Sequence, residues 1–139
     1  MNYLDLTGVV AGPRLVFDAV DAAGGAAVRT TVYSGYLSLA HNQGFRGAVR
    51  ATDTQPIAFF VPESEPYPHP PANLWVELSL RRLRSDPNPG MVTFGLEDPK
   101  VAVVADPRGG EHQWLQISAQ TPIYGHRLVE INYRVTVQA

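Results

Sequence analysis

The chain has 139 residues, 45% of them hydrophobic and 17% charged, and its formal net charge is −2. That is the composition of an ordinary globular protein rather than a disordered, collagen-like or membrane-embedded one, and a chain of this length buries about two-thirds of the surface its unfolded form exposes. The mild negative balance offers no broad attraction to nucleic acid or anionic lipid, and the lack of cysteine excludes disulfides, thiolate metal sites and cysteine nucleophiles.

Residues 1–139 read as one all-β domain, because period-two alternation recurs along the chain and no helical stretch of convincing length competes with it. The N-terminal run Met1-Asn2-Tyr3-Leu4-Asp5-Leu6 lacks a basic region followed by an apolar core, and no apolar run reaches membrane-spanning length. The expectation is a cytoplasmic protein, or one built into a particle after cytosolic synthesis, with no membrane partner. Lys100 is the sole lysine and arginine supplies the other basic residues, which reads first as a bias of the coding sequence.

In chain order, Tyr3 to Val10 and Arg14 to Val20 read as strands punctuated by Gly12-Pro13. After the Ala22-Ala23-Gly24-Gly25 turn, Ala27 to Tyr33 is a third, and the start of the chain reads as a meander. Ser34 to Gln43 carries both a helix-capping serine and the alternation of Leu37 and Leu39; it is read as strand. Phe45 to Thr52 and Ile57 to Val61 follow, the second apolar on both of its faces. Leu74 to Leu80 turns Leu74, Val76, Leu78 and Leu80 inward and Trp75, Glu77 and Ser79 outward. Met91 to Leu96, the two-faced apolar Val101 to Ala105 and His112 to Ala119 come next. Leu128 to Val137 has the cleanest pattern, with Val129, Ile131, Tyr133, Val135 and Val137 on its dry face.

About eight to ten short strands at turn spacings of roughly 8 to 12 residues favour an antiparallel β-sandwich, jelly-roll-like, or a closed barrel. One long Pro-rich loop at 62–72 interrupts the series and carries five of the twelve prolines. Its composition suits extended polyproline II structure, either as an arm that docks on a neighbour or as a stiff crossover between two sheets.

Catalytic and metal chemistry leave little trace. His41, His69, His112 and His126 are scattered, without the spacing of a metal site, and no nucleophile elbow or phosphate loop is present. The nearest constellation, Glu111, His112, Tyr124 and His126, places two adjacent residues on opposite faces of one strand. Three Asp-Pro dipeptides, Asp86-Pro87, Asp98-Pro99 and Asp106-Pro107, invite a calcium reading with Glu97 and Glu111 nearby. Turn chemistry accounts for them more simply, and Lys100 and Arg108 oppose a bound cation. Arg81, Arg82 and Arg84 cluster at a strand end without a nucleic-acid motif; a solvated strand end explains them better, and they could equally form ion pairs with a partner protein.

The remaining signal is apolar surface. Two-faced strands need a cover on each side, and Trp75 and Trp114 stand at outward positions where large amphipathic rings suit contact. The expected function is therefore a non-catalytic structural or assembly module, partnered by itself as a homo-oligomer or by a larger protein assembly. Contact would be made by the two-faced strands and the Pro-rich arm. The alternative is a carbohydrate- or small-ligand-binding module, and a metal-independent enzyme comes third. Trp75, Trp114, Tyr67, His69, Tyr124 and Phe60 are the candidate ligand or interface residues, with Asp98, Gln116 or His112 as polar contacts for a sugar; no cofactor or metal is expected.

Overall fold

The computed structural model describes residues 4–20, 27–41, 54–62, 71, 73–85, 93–105, 113–124 and 126–138. Every element among them is a strand: β1 (Leu4–Ala11), β2 (Leu15–Val20), β3 (Ala27–His41), β4 (Thr54–Phe60), β5 (Asn73–Ser85), β6 (Thr93–Phe94), β7 (Glu97–Ala105), β8 (Gln113–Tyr124) and β9 (His126–Gln138). They form two antiparallel sheets that pack as a β-sandwich, and the described strands do not close into a barrel. The expected strand Phe45 to Thr52 lies outside the described residues.

The larger sheet has the order β1-β3-β9-β5, and β2 shares with β1 the same edge of β3. β1 pairs with Gly35 to His41 and β2 with Ala27 to Val32, so the two lie end to end along one long strand. The meander is corrected accordingly: β2 and β3 pair as neighbours in sequence, but β1 never pairs with β2. Proline cannot donate to a ladder, and the chain accommodates Pro13 by interrupting the edge strand there. Gly12 bridges the gap by donating its N–H to the Ser34 carbonyl at 2.7 Å. The ambiguous Ser34 to Gln43 segment is strand as far as His41, continuous with the one before it.

The smaller sheet has the order β4-β8-β6, with β7 on the same edge of β8 as β6. It too has a divided edge, broken at Gly95 and Leu96, where Gly95 donates to the Pro122 carbonyl at 3.0 Å. Asp98-Pro99 is the irregularity between Glu97 and Lys100 in the β7–β8 register, with Asp98 at φ +49°. Aspartate tolerates that left-handed conformation better than most residues, so this Asp-Pro pair makes a bulge within a strand. The other two Asp-Pro dipeptides lie outside the described residues.

The core lies between the inner faces. Val129, Ile131, Tyr133, Val135 and Val137 of β9 are buried against Leu115, Ile117 and Ala119 of β8, Ile57 and Phe59 of β4, and Tyr33, Leu37 and Leu39 of β3. Their alternation along each strand is the reason: one parity faces the opposite sheet and the other faces out. Phe59 and Tyr133 meet in a tilted ring pair with centroids 5.4 Å apart. Thr121, fully buried, donates from Oγ1 to the Gln55 carbonyl at 2.7 Å and so ties β4 to β8 inside the core.

The chain crosses between sheets repeatedly. β4 in the smaller sheet is followed by β5 in the larger one, so the Pro-rich loop spans a change of sheet. Of that loop, Pro62 and Pro71 are described; Tyr67 and His69 lie outside the described residues.

Candidate functional site

Among the described residues, the larger sheet is four strands wide and the smaller one three. β5 comes close to β7, and β9 lies over β8 through the core, which leaves β2 beyond the reach of the smaller sheet. Exposure agrees with that placement: all six residues of β2 are exposed, on both parities. Leu15 and Phe17 face the outer side, at 50% and 56% exposure, while Val16 and Val20 stand on the inner parity at 45% and 70%. Leu6 and Val10 of β1 are also exposed. Scattered exposed leucines mean little, but here Leu15, Val16, Phe17 and Val20 of one edge strand are exposed together, on both parities.

The outer face of the larger sheet extends this surface. Register places Trp75, Thr136, Val32 and Leu15 in one row across four strands, and Asn73, Gln138, Thr30 and Phe17 in the next. The indole of Trp75 is 49% exposed. Further along the same face the rows become polar: Glu77 pairs with Arg134, and Ser79, Asn132 and Tyr36 follow. A shallow depression there is lined by Val10, Gly12, Ser34, Tyr36, Arg81 and Asn132.

The arginine cluster belongs to this face. An extra residue in β5 between Leu80 and Arg82 lets Arg81 and Arg82 reach the same carboxylate, Glu130, at 3.0 and 3.1 Å. The Arg81 guanidinium also lies 4.1 Å over the Tyr36 ring. These two arginines are thus engaged by their own chain rather than standing as a merely solvated strand end.

On β2, Asp18 accepts a hydrogen bond from Arg29 Nε at 2.9 Å. That bond, aided by the arginine charge and opposed by a small desolvation effect, holds the Asp18 carboxyl below its ordinary value of 3.8. The one charged residue of β2 is therefore paired within the protomer.

The sequence candidates divide between the two outer faces. Trp75 is on the larger sheet, whereas Trp114 and Phe60 are on the smaller, where Trp114 is half-buried beside Val104 and Phe60, 39% exposed, stands opposite Gln116. Tyr124 ends β8 opposite Thr93. The two indoles cannot line one stacking platform, since the body of the sandwich separates them. Of the strands expected to need two covers, Ile57, Phe59 and Val61 are buried while Ala58 and Phe60 are exposed; Val101, Val103 and Val104 are half-buried and Ala102 and Ala105 exposed. The first has one face enclosed by the core and one exposed; the second rests Val101 and Val103 against the core without full burial.

Sequence reasoning found β2 as a strand, Arg14 to Val20, but did not single it out as an exposed apolar surface. Its signal was present in the consecutive apolar residues Leu15-Val16-Phe17, the same two-parity pattern that drew attention to the later strands. Of the catalytic constellation considered, Glu111 and His112 lie outside the described residues, and His126 is buried with no hydrogen-bond partner for Nδ1 among the described residues. No described group of acidic or histidine residues has the geometry of a metal site, and no described helix is long and apolar enough to cross a membrane. No protein-family model, curated protein or solved structure matches the chain.

Proposed function

We propose that the protein is a non-catalytic assembly module that associates through apolar surface its own fold leaves uncovered. The observation that carries this reading is β2, exposed on both faces and along its outer edge, with Leu15, Val16, Phe17 and Val20 all open. Burial of such side chains is the main drive for protein association, and an open strand edge adds directional hydrogen bonds that fix register. On the opposite side, the outer face of the smaller sheet is mixed, with exposed Phe60, Ala58 and Ala102 set around Gln116 and Ser118 of β8.

Light scattering coupled to size-exclusion chromatography tests the proposal. The expected result is a mass above that of one chain, rising with concentration. A single-chain mass at every concentration refutes self-association. The Pro-rich loop joins strands of different sheets, which favours the crossover role over the arm. Removal of Tyr67 to Pro70 separates the two: an arm is needed for the oligomer, whereas a crossover is needed only for the fold.

A second reading has its own support, namely that Trp75 shares a face with the polar rows of Glu77, Arg134, Asn132 and Tyr36. An exposed indole beside hydrogen-bonding side chains suits a flat carbohydrate. A monomer whose tryptophan emission responds to added oligosaccharide, with the response lost in Trp75→Ala, favours this reading.

A further inference from the structure

We propose that the partner of the β2 edge is a second copy of the same edge, paired antiparallel about a two-fold axis at Val16. The proposal rests on the assembly reading and specifies its occupant and register.

The four sheet edges differ in how they are defended. β4 carries Pro56, which cannot donate to a ladder; β7 carries the Asp98-Pro99 bulge and Lys100; β5 carries Glu77, Arg81, Arg82 and Arg84. Proline, bulges and unlike charges are the devices by which folded proteins keep strand edges from pairing. β2 has neither proline nor bulge within its span, although Pro13 interrupts the same edge just before it, and its charged residue, Asp18, is matched by Arg29, as Glu77, Arg81 and Arg82 of β5 are matched by Arg134 and Glu130. Among the described residues, β2 pairs with β3 alone and nothing pairs with its outer edge.

The residues around Val16 are complementary to their own reversal. Arg14-Leu15-Val16-Phe17-Asp18 reads basic, apolar, apolar, apolar, acidic. In an antiparallel two-fold pair, position sums are constant and both partners present the same face to the same side. A centre at Val16 sets Leu15 opposite Phe17 of the second copy, on the outer face, and repeats that contact across the axis. The same register sets Arg14 opposite Asp18 of the second copy twice, adding a basic group to a carboxylate that already accepts from Arg29. It also sets Ala19 opposite Pro13 and Val20 opposite Gly12, small residues where the edge strand is interrupted. A centre at Asp18 would instead oppose two carboxylates, and one at Phe17 would leave Asp18 facing Val16. Opposite charges across a strand pair stabilise it and like charges destabilise it, so Val16 is the favoured centre.

Charge reversal and cross-linking test the register on the full chain. Arg14→Glu and Asp18→Arg each create two like-charge contacts, and each is expected to raise the dimer dissociation constant at least ~10-fold. An equimolar mixture of the two variants restores both attractions and is expected to form a heterodimer. The chain contains no cysteine, so Val16→Cys introduces a single thiol. Under mild oxidation it should yield a covalent dimer, whereas Phe60→Cys, on the other sheet, should not. Far-ultraviolet circular dichroism checks that every variant is folded. If both charge variants self-associate as the parent does and Phe60→Cys cross-links instead, this edge is not the contact while self-association stands. A parent chain that remains single at all concentrations overturns both.

Discussion

Asp18 and Gly35 lie on neighbouring strands and show how differently a residue matters at the rim and in the core. Because Asp18 is lowered below 3.8 by its bond with Arg29, its contribution to stability is complete above the unfolded value and disappears as pH falls through the lower folded one. Its carboxyl resonance, followed by NMR, should titrate with a midpoint under 3.8, and Arg29→Ala should return that midpoint to the ordinary value. Gly35 sits opposite Tyr133, where an added Cβ would fall 2.1 Å from the Val10 carbonyl oxygen and 2.6 Å from the Tyr133 hydroxyl. A backbone oxygen cannot step aside without dislodging β1, so Gly35→Ala should cost roughly 2–3 kcal/mol in urea denaturation. The glycine makes room for the tyrosine to lie across the sheet and close the core beneath β1.

At the scale of elements, β9 and β2 are opposites. β9 is paired on both sides and has an inner face without solvent, so Ile131→Ala should destabilise the fold by about 2–5 kcal/mol. Phe17→Ala, on a bare strand, should change the stability of the isolated protomer by no more than about 0.5 kcal/mol and act instead on association. Denaturation at low concentration separates the two effects. β9 was legible in the sequence to the residue, because alternation reports which parity is dry. What alternation does not report is the identity of neighbours: it could not place β1 and β2 end to end on β3, nor bring Arg81 and Arg82 to one carboxylate through an extra residue in β5. The candidate site was less legible still. Trp75 was read outward and is exposed, but its separation from Trp114 follows from which sheet each strand joins, and that is decided by contacts distant in sequence. The openness of β2 follows from the unequal widths of the two sheets, a property of no single segment.

For the molecule as a whole, the inequality of the sheets links fold to association. Among the described residues a three-strand layer faces a four-strand one, and the strand beyond its reach is β2, exposed at every position. Anything that binds the folded form alone stabilises it by mass action, so the midpoint of thermal unfolding should rise with protein concentration and cease to do so when Arg14→Glu blocks pairing. Constant midpoints for the parent chain would count against assembly through any surface. The order of strands along the chain has a further effect, felt during synthesis. β9 emerges from the ribosome after every other described strand, yet it is the piece that joins β3 to β5. Until it arrives, the nascent polypeptide carries two unjoined halves of the larger sheet, and long-range pairing of this kind is slow and prone to clumping. Ribosome-bound chains stopped before His126 should therefore be protease-sensitive and dependent on chaperones, and should gain protease resistance once β9 has emerged.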